Sequence, residues 1–331
     1  MRNFSCSTCD NRLYLENSVC VVCGSSLGYW RETADIVVVD DEGAFVAPDG
    51  LVWHVCPHLN LSGCTWLTRI EGEPCESCQL TRTRPADDDP VGLAQLPVAE
   101  SAKRHLLVEL TRLGFGWVTR DEDPEQGLCF DLLSSVEENV VIGHEDGVIT
   151  IDLAEGDDAH RAKVQAELAE PYRTMLGHLR HEVGHYMEAQ HVRGDLIEKA
   201  RELFGNEEIS YADEIERHYN EGPPADWAES FISTYATMHP FEDFAESFAH
   251  TLHIQDTVDT ARWNGLITVE PDAFSVFSDL VTGVWVPLSN ALNQINRSMG
   301  SDDLYPFVIP PKVLAKLDFI DSLRVRPGVG G

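Results

Sequence analysis

Residues 171–191 read Pro-Tyr-Arg-Thr-Met-Leu-Gly-His-Leu-Arg-His-Glu-Val-Gly-His-Tyr-Met-Glu-Ala-Gln-His, and the chain is organised around them. His181-Glu182-Val183-Gly184-His185 is an HExxH motif inside a helical pattern, with Leu176, Leu179, Val183 and Met187 as its apolar stripe. Side chains four apart share a helix face, so His181 and His185 can reach one ion while Glu182 stands beside it as a base. Pro171 suits a first turn. The plain alternative is a surface helix with two solvated histidines. The buried stripe argues against it, because imidazoles on a half-buried face need partners, and a metal satisfies two of them while tolerating Glu182. His178, one turn before His181, lies on the same face and reads as a supporting or substrate-facing group.

Composition narrows the function classes. With 331 residues and 43% apolar content, the chain is long enough for a large globular domain plus a smaller one. Its 56 acidic against 24 basic residues, a net charge of −32, repel phosphate backbones and anionic membranes, so nucleic acid is not the expected partner. No run of apolar residues is long enough to span a bilayer, and Met1-Arg-Asn-Phe-Ser-Cys6 has no signal-peptide core, so the expected location is the cytoplasm. Eight of the nine cysteines fall into metal-site groupings, which in a reducing compartment means thiolate ligands; Cys129 reads as a small buried side chain.

Cys6-Ser-Thr-Cys9 and Cys20-Val-Val-Cys23-Gly24 are two knuckles around one tetrahedral ion, a zinc ribbon, with a short hairpin expected through Leu13, Tyr14 and Leu15. So small a unit buries too little core, and the metal contributes its folding free energy. Residues 35–55 read as strands broken by Asp-Asp-Glu-Gly and Pro-Asp-Gly turns. They lead to Cys56, Cys64, Cys75 and Cys78, a second structural zinc site. Its spacing is looser, with His58 a competing ligand and unligated core cysteines the bland alternative.

Thr83 to Pro97, rich in Pro, Asp and Ala, reads as a linker before helical periodicity over Val98–Leu113. The expected division is a zinc-ribbon region over 1–90 and a catalytic region over 91–331. Leu128–Leu133 and Val140–Ile142 read as strands. Val148–Leu153 alternates like an edge strand that could hold an extended substrate, or an interior strand that only packs. Residues 195–224 suggest a surface helix and loop. Asp226-Trp-Ala-Glu-Ser-Phe231 and Asp243-Phe-Ala-Glu-Ser-Phe248 then offer carboxylates on helices, so a third zinc ligand is expected among Glu229, Glu242 and Glu246, with His250 and His253 as weaker rivals. Glu242 and Glu246 share a face, so one can bind metal while the other orients a histidine. From Val269 onward the pattern reads as a packing layer with Trp285, Leu288, Leu292 and Ile295, a last helix from Pro310-Pro311, and a frayed Gly-Gly tail.

Tyr235-Ala-Thr-Met-His-Pro-Phe-Glu242-Asp-Phe-Ala-Glu246 resembles the third-ligand segment of gluzincin peptidases such as anthrax lethal factor and the Mlc titration factor peptidase. That resemblance implies Glu242 as the zinc ligand, Tyr235 as an assisting phenol and Glu246 behind the ligands. The cysteine pairs, Glu170-Pro-Tyr-Arg, Gly177 to Tyr186, His239 to Glu246, Arg297-Ser-Met-Gly300 and Leu304-Tyr-Pro-Phe-Val308 together resemble a bacterial zinc-ribbon and zinc-binding metallopeptidase family. The expectation is an α+β chain, an N-terminal ribbon with two cysteine-rich sites and then a mainly helical zincin-like domain with a small sheet. It carries one catalytic and two structural Zn2+, and it hydrolyses peptide bonds of a protein or peptide substrate through a zinc-bound water. A zinc-containing binding module with little turnover is the rival, and the pattern carries no signal of oligomeric state.

Overall fold

The computed structural model describes residues 2–135, 140, 142–157 and 174–325. Pro171 and the Glu170-Pro-Tyr-Arg segment, one residue of the strand expected at 140–142, and the Gly-Gly tail lie outside them. The N-terminal region is built from hairpins that present cysteines. Strand β1 (Phe4–Ser5) pairs antiparallel with β2 (Arg12–Leu13), so the hairpin forms slightly before the expected Leu13-Tyr14-Leu15 position. Each knuckle closes with a backbone hydrogen bond, Asp10 N to Cys6 O at 2.9 Å and Gly24 N to Cys20 O at 2.8 Å. Asp10 and Gly24 both take the left-handed conformation the turn needs, at φ 57° and 74°.

Strands β3 (Leu27–Trp30) and β4 (Asp35–Val38) form a second ribbon, and β5 (Ala44–Val46), β6 (Val52–Val55) and β7 (Leu67–Thr68) a third sheet. Short helices α1 (Leu59–Ser62) and α2 (Glu76–Gln79) flank them. The strands expected over 35–55 are thus present.

The expected linker is mostly helix. Helix α3 starts at Pro90 and runs to Leu113, because Asp89 caps it by accepting from Val91 N and Gly92 N, and Pro90 occupies a position whose N–H has no intrahelical partner. Pro97 sits inside the helix, where Leu96 and Ala99 are buried. Helix α3 packs on both α1 and the motif helix, and Arg104 donates to Ser62 O at 3.0 Å. One hydrophobic core therefore runs from the cysteine sites into the rest of the chain.

The small sheet has the order β10-β11-β9-β8. Here β8 is Thr81–Thr83, β9 Cys129–Leu133, β10 Gly143–Glu145 and β11 Val148–Asp152; β8 and β11 run parallel to β9 and β10 runs antiparallel to β11. Val148–Asp152 is consequently an interior strand. The edge reading of that segment is corrected: β10 covers it, because the turn at Asp146-Gly147 folds the chain back along the same strand.

Helix α4 (Met175–His191) begins after Thr174, whose hydroxyl accepts from Gly177 N, later than Pro171. The region expected as one surface helix and loop holds two helices, α5 (Asp195–Phe204) and α6 (Tyr211–Glu221). Helix α7 (Pro240–Trp263) crosses α4 closely at Gly184, where an added Cβ would stand 2.9 Å from Ala245 Cα. Only glycine at the fourth motif position permits that approach. A second core joins α7 to α8 (Phe277–Leu280), a π-helical turn (Val281–Trp285), α9 (Val286–Ser298) and α10 (Pro311–Ser322). In the expected packing layer Trp285 and Leu288 are buried, but Ile295 faces outward.

Candidate metal centre

Three groups of donor atoms converge. In the ribbon the Sγ atoms of Cys6 and Cys23, and of Cys9 and Cys20, lie 3.6 Å apart. In the second site Cys56 to Cys78 is 3.7 Å and Cys64 to Cys75 is 3.5 Å. Four thiolates around tetrahedral zinc, with Zn–S of about 2.3 Å, have edges of about 3.8 Å, so both sets fit the ion. His58, at the N-cap of α1, is not part of the group, and the four-cysteine reading holds. All four cysteines of the second site are buried, whereas Cys23 of the first is exposed.

The third group is His181, His185 and Glu242. Glu242 Oε2 lies 3.0 Å from His181 Nε2 and 3.5 Å from His185 Nε2. Ligands about 2.1 Å from a tetrahedral zinc sit about 3.4 Å apart, so these donors too fit a metal. Glu242 occupies the first turn of α7, where the helix dipole favours a carboxylate, and His239 Nδ1 caps that turn by accepting from Phe241 N. Burial opposes ionisation of Glu242, but His185 and His181 hold its carboxyl well below the usual range. Burial likewise opposes charge on His181, yet Glu242 and Glu246 push its pKa well up. Two carboxylates thus demand positive charge at this point, a demand that a divalent cation satisfies equally well.

The surrounding contacts sort the remaining candidates. Glu246 Oε1 lies 2.9 Å from His181 Nδ1, and its other oxygen accepts from Ser233 Oγ at 2.7 Å. This leaves His181 Nε2 to face Glu242 and the motif. His178 contacts Glu155 through Nδ1 and Glu182 Oε1 through Nε2 at 3.0 Å. Burial opposes charge on His178, but these two carboxylates raise its pKa to about 9. Burial also opposes charge on Glu182, while the His178 hydrogen bond and nearby histidines lower its pKa to about 2. Glu182 is therefore ionised, with one oxygen held by His178 and Oε2 buried without a partner. Tyr235, in a 3-10 turn (Tyr235–Thr237), places its ring 5.7 Å from that of His181.

Glu229 is exposed on a short turn away from the group. His250 Nδ1 is 2.7 Å from Tyr305 Oη, and His253 Nδ1 accepts from Arg180 at 2.6 Å, so both have structural tasks. Burial lowers the pKa of His250 to about 4 and keeps it neutral.

Two cavities flank the motif and share His181, Glu182 and Tyr235. One, of about 410 Å³, is walled by Trp227, Ile232, Ala249, Pro306 and Phe307. The other, of about 570 Å³, lies toward the C-terminal end of α4 and is bordered by β10 through Gly143 and His144. Three contributors were not legible as site residues. Tyr211 Oη donates to Glu242 Oε1 at 2.6 Å from a helix 31 positions away in sequence. Pro306 and Phe307 come from the segment read as structural packing; Phe307 does pack against the second core, and the same loop, folded onto His250, also lines the 410 Å³ cavity. A Tyr-Pro-Phe run in a polar loop was the available signal.

Comparison with known proteins places these features in a family. A family model described as "Putative zinc-binding metallo-peptidase" matches residues 93–323, and a zinc-ribbon domain model matches residues 3–89. Uncharacterized proteins of Mycobacterium tuberculosis and Mycobacterium bovis are each 46% identical over 336 residues, covering 98% of this chain and 95% of the relative. No solved structure matches the chain. Among the described residues, no helix is long and apolar enough to cross a membrane.

Proposed function

The chain belongs to this zinc-binding metallopeptidase family, and from that premise we propose that it is a gluzincin-like peptidase in which His181, His185 and Glu242 hold a catalytic zinc. What carries the reading is the juxtaposition of three donors at zinc-compatible separations with the ionised, half-free carboxylate of Glu182. When bound, zinc lowers the pKa of a coordinated water to about 7 and polarises a substrate carbonyl.

The chain's own residues do the rest. Glu182 accepts the proton of the attacking water at Oε2, because Oε1 is engaged by His178, and delivers it to the leaving amine. His178, itself fixed by Glu155, holds that carboxylate in place. The Tyr235 phenol donates to the oxyanion, where one such donor contributes roughly 3 kcal/mol in the transition state. Glu246 fixes the tautomer of His181 so that Nε2 is the donor. Among the described residues strand β10 is an edge of the sheet beside the cleft, and it offers backbone groups to an extended substrate. In this reading the substrate is a protein or peptide that the ribbon positions, and thiolate sites are in keeping with a reducing compartment such as the cytoplasm.

Hydrolysis of denatured casein by zinc-loaded protein, compared with Glu182→Gln, tests the assignment. The variant should keep its zinc and lose at least about a thousandfold in rate. Loss of the ion in Glu182→Gln would overturn the base role. Full zinc occupancy without turnover in the parent protein would instead favour a binding module.

A further inference from the structure

Resting on the peptidase reading, we propose that the 570 Å³ cavity is a specificity subsite for a lysine or arginine side chain of the substrate, with Glu188 as the residue that recognises its cationic head.

Four carboxylates reach this cavity, and three are already committed. Glu242 belongs to the metal group and accepts from Tyr211, Glu182 is held by His178 beside the motif, and Glu207 is paired with Arg201 at 2.6 Å. The Glu188 side chain makes no hydrogen bond and no ion pair with any described residue. It lies on α4 one turn beyond His185, half-buried, on the face that carries the metal group. Among the described residues, no lysine or arginine lines the cavity.

Besides the motif histidines, the remaining wall combines apolar side chains, Ala189, Val192, Ile197, Ala200 and Phe241, with the polar groups of His144, Tyr211 and Tyr235. Apolar side chains beside a carboxylate that has no partner among the described residues are complementary to a side chain with a methylene stem and a positive tip. A neutral aliphatic chain would fill the walls but leave Glu188 desolvated and unpaired; an acidic one would add repulsion from Glu188. Glu182, whose Oε2 is buried with no partner among the described residues, also lines this cavity, as it does the 410 Å³ one. On the other side of the motif the 410 Å³ cavity has no equivalent of Glu188, because Glu246 is engaged by His181 and Ser233 and the walls include Trp227 and Phe307. The cationic preference is thus confined to one side of the scissile bond.

The test uses zinc-loaded full-length protein and acetylated, amidated decapeptides with lysine, arginine, norleucine or glutamate at one scanned position, the cuts being located by mass spectrometry. Lysine and arginine should raise kcat/KM by about tenfold or more over norleucine at one position on one side of the cut. Glu188→Gln should collapse that ratio toward one, and Glu188→Lys should turn the preference toward glutamate, with zinc content and Tm recorded for each. Equal turnover of the lysine and norleucine peptides, or a ratio unmoved by Glu188→Gln, overturns the proposal while leaving the peptidase reading intact. If no peptide is cut, the peptidase reading fails, and Kd values of the same peptides decide separately: no lysine preference in binding overturns the subsite as well.

Discussion

The second cysteine site and the His-Glu site are built from the same kind of donor convergence and serve opposite ends. Cys56, Cys64, Cys75 and Cys78 are all buried, and their Sγ atoms converge at separations that fit the four corners of a tetrahedron. His181, His185 and Glu242 supply three corners, and cavities of about 410 and 570 Å³ open on either side. A closed set of thiolates ties short strands and turns together, whereas three donors leave a position for chemistry. The surroundings follow the same division. Around the thiolates lie short strands and turns, while behind the His-Glu set stand Glu246, Tyr211 and Ser233, each fixing an oxygen or a ring nitrogen.

The sharpest way to break this contrast is to remove one thiolate. Cys64 is fully buried, so Cys64→Ser should empty the second site and cost a large part of the roughly 10 kcal/mol that such an ion contributes to folding. Limited proteolysis would then cut within residues 52–83, and elemental analysis would fall by one zinc. A variant that keeps both its metal content and its protease resistance would show that this region does not depend on the ion.

A smaller effect distinguishes the donors of the other site. Glu242→Ala should leave the catalytic position empty, whereas Glu246→Ala should leave it filled and reduce affinity or activity about 10 to 100-fold. Zinc occupancy measured in the opposite order would transfer the ligand role to Glu246.

Tyr211→Phe should have the smallest effect of the series. Its hydroxyl donates to Glu242 from a side chain that is 40% exposed, so its loss should weaken catalytic zinc affinity by about tenfold at most. Competition with a chromophoric chelator measures this, and a loss as large as that of Glu242→Ala would mean that Tyr211 does more than orient the carboxylate.

Local spacing made the donors legible. Two thiols three apart form a knuckle, two histidines four apart share a helix face, and the Glu242 to Glu246 interval repeats that logic on a second helix. The start of α3 is hidden in the sequence because Pro and Asp read as linker composition, while here they are an N-cap and first turn. The substrate edge was misplaced because alternation marks a strand without saying which neighbour covers it; β10 claims one side of Val148–Asp152 and β9 the other.

By itself, then, the sequence determined the kinds of donor, their number and their grouping along the chain, because metal chemistry is specified by side-chain type and helical or turn spacing. Tertiary structure alone decided which helix Gly184 admits against the motif, and so which carboxylate meets His181 and His185. It also decided that Tyr211 meets Glu242, that Phe307 lines the 410 Å³ cavity and that the Glu188 side chain has no partner among the described residues. Those outcomes depend on packing between segments tens of residues apart, and contacts of that range leave no periodic trace in the chain.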